Sequence, residues 1–290
     1  MPELPEVETV RAGLQRLLPG KVINDTDYDT DKSFPNAPSD VAQFLVGASI
    51  MAVRRRAKVL LIELSSAYSL VIHLKMTGQL VFVGGSERFG AGHPSDSLVG
   101  HLPDKSTRVT VTFTDGSKLF FNDQRKFGWM RLVPTIGVPN IDFMQRVGPE
   151  PLEASFDWQL MKDRLLRRKN TNIKAALLDQ SVIAGVGNIY ADESLWGAKI
   201  HPATLVRNLE DADFKALHQA LVDVLNLSIA KGGSSNHTYV DAEGKKGSYM
   251  SFANVFRREG QPCPRCGTTI EKSKVAGRGT HTCPYCQRIT

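Results

Sequence analysis

All four cysteines of this chain fall in its last 28 residues, as Cys263-x2-Cys266 and Cys283-x2-Cys286 with 16 residues between the pairs. Two C-x2-C pairs so spaced are the pattern of two knuckles that each offer two thiolates to one tetrahedral zinc ion. Gly267 directly follows the first pair, where a knuckle must turn tightly. A shell of four thiolates leaves no open coordination position, so one structural zinc per chain is expected, held in a small ribbon over residues 255–289.

The remaining chain, out of 290 residues, is long enough for two ordinary domains, and 41% hydrophobic residues allow sizeable cores. No run approaches the ~20 apolar residues of a membrane span. The first residues lack a basic segment followed by an apolar one, so an unexported, cytoplasmic chain with reduced thiols is expected. A net charge of +6 fits a partner made of phosphates.

Residues 1–135 read mostly as strands. "KVLLIEL" (58–64), "SLVIHL" (69–74), "TRVTVTF" (107–113) and "KLFFN" (118–122) are short, rich in β-branched or aromatic residues and bounded by turn formers. "TDG" (114–116) predicts a hairpin turn. One helix is expected over residues 7–18, since prolines 2 and 5 discourage an earlier start and Pro19-Gly20 stops it. Residues 84–106, with repeated Gly, Ser and Pro, read as a mobile loop. The fold class predicted is α+β, with a β-sandwich or barrel-like domain (1–135) carrying an N-terminal helix. A linker (136–152) containing "VGPEPLE" leads to a helical domain (153–250) and then the zinc hairpin. Helical patterns follow in "WQLMKDRLLRR", "NIKAALLDQ", "YADESLWGA" and "DADFKALHQALVDVLNLSIAK".

Three constellations carry chemistry. Pro2 would present a secondary amine once Met1 is removed, and unprotonated amines form Schiff bases with masked aldehydes. Glu3 beside it could relay protons. Lys58 shares strand parity with Leu60, Ile62 and Leu64, which directs it toward the interior or a cleft. In "AGVGNIYADE" (184–193), Gly185 and Gly187 permit a tight turn and Asn188 is expected to cap a new helix, a start suited to phosphate. The cationic "RRKNTNIK" lies just upstream.

"MPELPEVETV", "RRRAK", "HLKMTG", "DQRKFG", "GPEPL", "LLDQ", "IAGVGNIYADE" and the terminal cysteine pattern, in this order, resemble the bacterial formamidopyrimidine-DNA glycosylases over essentially the whole chain. The related endonuclease VIII type, which prefers oxidised pyrimidines, usually opens with a "PEGPE"-like string; "PELPEVET" favours the purine-repair branch. The resemblance implies a helix-two-turns-helix domain and a cytoplasmic, nucleoid-associated monomer. It also implies a DNA repair enzyme that flips an oxidised purine out of duplex DNA, cuts its glycosidic bond and nicks the abasic site by β,δ-elimination. A non-catalytic zinc-containing DNA-binding protein is the alternative class; the presence of Pro2, Glu3 and Lys58 together argues against it.

By the same resemblance Pro2 is the nucleophile, Glu3 the general acid/base, and Lys58 a proton-transfer and phosphate group. Arg278 completes the catalytic set as the zinc-finger arginine that grips phosphates flanking the lesion and is linked to the later elimination. Met76, Arg125 and Phe127 match the wedge that fills the space left by the flipped base. His73, Lys169 and Asn188 join Arg278 in the phosphate-contact set. Where many relatives carry a histidine in a "KHxH" segment, this chain has "DKSTRV", so Ser106 stands at that DNA contact with Lys105 or Arg108 as substitutes. The Gly/Ser-rich residues 231–247 resemble the loop that closes over the flipped base. They are expected to be weakly ordered without DNA, with Asn236, His237, Thr238 and Tyr239 lining the base pocket.

Overall fold

The computed structural model describes residues 2–93, 95–234 and 249–289. Asn236, His237, Thr238 and Tyr239 lie outside the described residues. The chain divides into two units, residues 1–145 with 231–248, and residues 146–230 with 249–290. The first unit therefore extends beyond 135 and takes in the 231–247 segment, while the zinc ribbon joins the helical unit.

The first unit opens with α1 (Leu4–Leu17), three residues before the predicted start. Pro5 lies in the first turn, where its missing N–H has no intrahelical acceptor to lose. Glu3 is the N-cap, and Glu3 and Glu6 form a reciprocal capping box that satisfies two otherwise orphaned backbone donors. Leu4, Val7, Val10, Leu14 and Leu17 form the buried stripe.

Two antiparallel sheets follow. One has the order β1 (Ile23–Tyr28), β7 (Thr107–Phe113), β8 (Lys118–Asp123), β5 (Gly78–Gly84), β6 (Glu87–Gly92). The other has the order β2 (Ile50–Arg56), β3 (Val59–Leu64), β4 (Tyr68–His73), β9 (Trp129–Pro134). A short helical segment with α2 (Pro38–Asp40) lies between β1 and β2, and α3 (Asp142–Arg146) follows β9. Leu60, Ile62, Ile72, Phe82, Phe113 and Phe121 belong to one core cluster with Val7, Val10, Leu14 and Leu17 of α1, so both sheets and the helix share it. This is the predicted sandwich with its N-terminal helix.

The segment read from composition as a loop, residues 84–106, holds regular structure at 87–92 and 96–98. β6 pairs with β5 along its length, and a 3-10 turn covers Asp96–Leu98. Arg88 donates from Nε to the Leu98 carbonyl at 3.0 Å and from Nη2 to the Gly100 carbonyl at 2.6 Å, pinning the return of the chain. The glycine content that suggested a loop serves close packing. Gly92 has φ +124°, and a Cβ there would lie 2.5 Å from the Gly78 carbonyl oxygen.

The helical unit contains α4 (Trp158–Leu166), α5 (Ile173–Leu178), α6 (Asn188–Gly197) and α7 (Asp211–Ala230), with Met161, Leu177, Tyr190, Leu195, Leu217 and Leu221 in its core. "VGPEPLE" is packed onto this unit: Gly148 N–H donates to the Gln180 carbonyl at 2.8 Å and Ala184 N–H to the Pro149 carbonyl at 2.9 Å. β10 (Glu271–Val275) and β11 (Arg278–Thr282) form the zinc hairpin. No described helix is long and apolar enough to cross a membrane.

Candidate functional site

In the first unit, Pro2 and Glu3 are both buried at the entry to α1. The Glu3 backbone N–H donates to Glu6 Oε2 at 2.8 Å, and the other Glu6 oxygen accepts from Ser234 N–H at 2.8 Å. Glu6 thus ties the start of the chain to the beginning of the 231–247 segment. Sequence reasoning assigned it no role, although a glutamate three residues after a helix cap is the local signal of a capping box.

Lys58 is not on the strand but in the turn between β2 and β3, beside Ala57 at φ +52°. It is buried, as the parity argument required. Arg55 holds this hairpin to α1. Its Nε donates to Glu8 Oε2 at 2.9 Å and its Nη1 to the Ala57 carbonyl at 2.9 Å. His73 ends β4 opposite Val59 and is also buried. Burial, reinforced by the charges of Lys75 and Lys58, lowers the His73 imidazole to about 3. The ring is neutral at physiological pH. Its Nδ1 accepts from Lys75 N–H at 3.0 Å, which leaves the proton on Nε2 as an uncharged donor.

Met76 and Phe127 are 39% and 46% exposed, unusual for side chains of their size, and Arg125, two residues before Phe127, is exposed as well. The Arg125 guanidinium lies 5.0 Å and the Lys32 ammonium 5.4 Å from the Phe127 ring centroid, so two cations flank the ring. These side chains are displayed from turns rather than used in the core.

Ser106 does not present itself to a ligand. It is buried, and its hydroxyl bonds Asp104 Oδ1 at 2.7 Å and the Ser97 hydroxyl at 2.9 Å. Arg108 is occupied as well. Its Nε donates to the Asp123 carbonyl at 2.8 Å, Nη2 to the Lys105 carbonyl at 2.5 Å, and Nη1 pairs with Asp29. The tertiary packing that completes β7 consumes both residues and leaves Lys105 as the exposed cation of that segment.

In the helical unit, Gly187 is the N-cap of α6 and Asn188 its first helical residue, so the helix begins one residue earlier than expected. Asn188 Nδ2 donates to the Gly279 carbonyl at 3.0 Å, and its buried Oδ1 has no hydrogen-bond partner among the described residues. Gln180 closes the preceding turn, with its side chain bonded to the Leu178 carbonyl, the Val186 carbonyl and Gly185 N–H at 3.1, 2.8 and 3.0 Å. Lys169 is exposed after α4.

α6 also holds the ribbon. Asp192, fully buried, accepts from Lys174 Nζ at 2.6 Å and from His281 N–H at 2.9 Å. The Lys174 ammonium donates further to Thr280 Oγ1 at 2.8 Å and to the Gly279 carbonyl at 3.0 Å. Glu193, also buried, accepts the N–H groups of Asn254, Val255 and Phe256, each at 2.8 Å. These bonds fix both ends of the ribbon, and Arg278 projects from the start of β11 as an exposed side chain. Lys174, Asp192 and Glu193 had no assigned role from sequence, because their partners in the ribbon lie 61 or more positions away.

The Sγ atoms of Cys263, Cys266, Cys283 and Cys286 all lie within 4.8 Å of one another. Thiolates about 2.3 Å from a tetrahedral zinc are about 3.8 Å apart, so the four residues fit one structural ion. Trp196 Nε1 donates to Cys263 Sγ at 3.4 Å, linking the cluster to α6.

Family models for the formamidopyrimidine-DNA glycosylase N-terminal domain, its H2TH domain and the zinc finger found in FPG and IleRS match residues 1–130, 147–240 and 260–289. The chain is 40% identical over 290 residues to the formamidopyrimidine-DNA glycosylase of Pelotomaculum thermopropionicum, covering 100% of both chains. It is 41% identical to that of Pediococcus pentosaceus, covering 99% of each. Among solved structures it is similar to Lactococcus lactis Fpg with DNA containing an abasic site, with TM-score 0.86, 35% identity and 99% of each chain covered. It is also similar to MutM with DNA containing carbocyclic 8-oxo-G, with TM-score 0.84, 34% identity and 99% and 100% covered. With three domain models in order and relatives matched end to end, the chain belongs to the formamidopyrimidine-DNA glycosylase family.

Proposed function

We propose that this chain is a base-excision-repair enzyme of the bacterial cytoplasm that removes oxidised purines, 8-oxoguanine and formamidopyrimidines, from duplex DNA and nicks the resulting abasic site. The observation that carries this reading is the buried Pro2-Glu3 pair, held at the α1 cap by Glu6. With Met1 removed, the Pro2 amine is a secondary amine. Ordinary α-amino groups titrate near ~7.7–8.0, so a usable fraction is unprotonated at neutral pH. The nitrogen attacks C1′, the glycosidic bond breaks with its electron pair on the departing base, and the base takes up a proton. Glu3 protonates the ring oxygen O4′ as the sugar opens, leaving an iminium ion between Pro2 and C1′. Loss of the C2′ proton then expels the 3′ phosphate, a second elimination expels the 5′ phosphate, and water releases the amine.

Lys58 serves the proton transfers and a phosphate near the lesion, with His73 as an uncharged donor beside it. Met76, Arg125 and Phe127 fill the vacated stack and face the orphaned partner, which offsets part of the few kcal/mol that extrusion costs. Lys105, Lys169, Asn188 and Arg278 contact phosphates, which position the protein without reading sequence. Zinc fixes the hairpin that carries Arg278 and takes no part in the chemistry.

Borohydride trapping on a duplex with one 8-oxoguanine opposite cytosine tests the reading. A covalent protein–DNA adduct together with strand cleavage is expected from protein starting at Pro2, and none from protein retaining Met1. Full trapping by the blocked form would remove Pro2 from the mechanism, and binding without cleavage would mark a non-catalytic DNA-binding protein.

A further inference from the structure

The exposed side chains read above as a wedge come from two separate turns. Met76 stands on the turn between β4 and β5; Arg125 and Phe127 stand on the turn between β8 and β9. Two independent flexible turns would enter a base stack at different moments and heights. The geometry points to Thr77 and Asp123 as a latch that binds the two turns into one rigid element, so that the wedge acts as a unit.

Asp123 is buried at the end of β8. Its Oδ2 accepts from Phe127 N–H at 2.8 Å and Gly128 N–H at 2.7 Å, which folds the second turn around the carboxylate. Its Oδ1 accepts from Arg125 N–H at 3.1 Å and from the Thr77 hydroxyl. The Thr77 hydroxyl in turn accepts from Arg125 N–H at 3.1 Å. One threonine hydroxyl thus crosses from the first turn to the second and is donor and acceptor at once.

Both turns need the restraint. Lys75 and Lys126, each next to a wedge residue, hold φ of +51° and +56°. A non-glycine residue in that region is strained and persists only where its surroundings over-determine it. In the first turn Gly78 N–H returns to the Leu74 carbonyl at 2.8 Å, and a Cβ at Gly78 would lie 2.3 Å from that oxygen, so the turn closes tightly under Met76. A buried carboxylate with four donors is a strong anchor, because charge-assisted bonds exceed neutral ones. Thr77 and Asp123 are positioning residues: neither is placed at the reacting atoms.

This inference rests on the wedge reading, and the test separates the two. Thr77→Val keeps the branched shape and removes the hydroxyl; Thr77→Ser keeps the hydroxyl. Single-turnover excision of 8-oxoguanine from duplex DNA is measured beside cleavage of a ready-made abasic site, with Phe127→Ala and the double variant Thr77→Val/Phe127→Ala in parallel. Thr77→Val is expected to slow excision about tenfold or more, with abasic-site cleavage within about threefold of the parent and Thr77→Ser close to the parent. The double variant is expected to lose less than the product of the two single losses, because the latch acts in part through the ring. If Phe127→Ala leaves excision intact, the wedge reading falls. If Phe127→Ala slows excision and Thr77→Val does not, the latch falls alone. Equal losses on both substrates, or Thr77→Ser as poor as Thr77→Val, would likewise overturn it by showing a general packing role.

Discussion

Replacing Lys174 with methionine removes one charge from a fully buried pair. Lys174 and Asp192 both have 0% exposure, and the ammonium places its bonds on Asp192, Thr280 and the Gly279 carbonyl at 2.6, 2.8 and 3.0 Å. Among the described residues, Lys174→Met leaves the buried Asp192 carboxylate with the His281 N–H and ring nitrogen as its partners, at 2.9 and 3.3 Å. Breaking a buried pair by removing one partner costs about 3–5 kcal/mol, a large share of the ~5–15 kcal/mol that holds a typical domain. The urea midpoint of the helical unit is therefore expected to fall by about 1 M or more. The double variant Lys174→Met/Asp192→Leu removes both charges and is expected to recover at least half of the loss. Because the pair grips the carbonyl next to Arg278, the single variant is also expected to weaken binding to abasic-site DNA. A single-variant cost under about 1 kcal/mol, or a double variant no more stable than the single, would refute the reasoning.

The lowered His73 pKa makes a pH prediction. The unfolded chain binds a proton on this imidazole below its ordinary value of 6.5 while the folded chain resists until about 3, so the His73 contribution is complete above 6.5 and lost as pH falls. At pH 5 the loss is about 2 kcal/mol, and denaturation of His73→Gln against the parent at pH 7.5 and 5.0 should show it; an NMR titration of His73 near 6.5 would contradict it. Metal analysis is expected to find one zinc per chain, and chelation to abolish DNA binding before the first unit unfolds. Active protein without zinc would rule that out. Glu6→Gln leaves only one acceptor for the Glu3 and Ser234 N–H groups, now both at 2.8 Å, at a cost of about 1–2 kcal/mol. Faster hydrogen exchange at residue 234 or 3 and slower trapping are expected; unchanged exchange would show that the carboxylate does not anchor both.

The residues that do local work were legible in the sequence. The zinc ligands announce themselves because each chelating pair is closed within a few residues, and the roles proposed for Pro2 and Glu3 were reachable because they depend on position in the chain. Strand alternation gave β3, β4, β7 and β8, and helical periodicity gave α4 to α7, since both follow from which side chains face a core. The start of α1 was misjudged because proline was weighed as a breaker, when the first turn has no bond for it to break. The strand at 87–92 was missed because glycine marks close backbone approach as well as loops. What the tertiary structure alone decided is the set of polar closures. Thr77 meets Asp123 across 46 positions, Lys174 meets Thr280 across 106, and Glu6 meets Ser234 across 228. Such pairs leave no period and no spacing in a sequence. They exist because folding buries a charged or hydroxyl group that then requires a partner, and the partner is whichever segment the packed core has brought alongside.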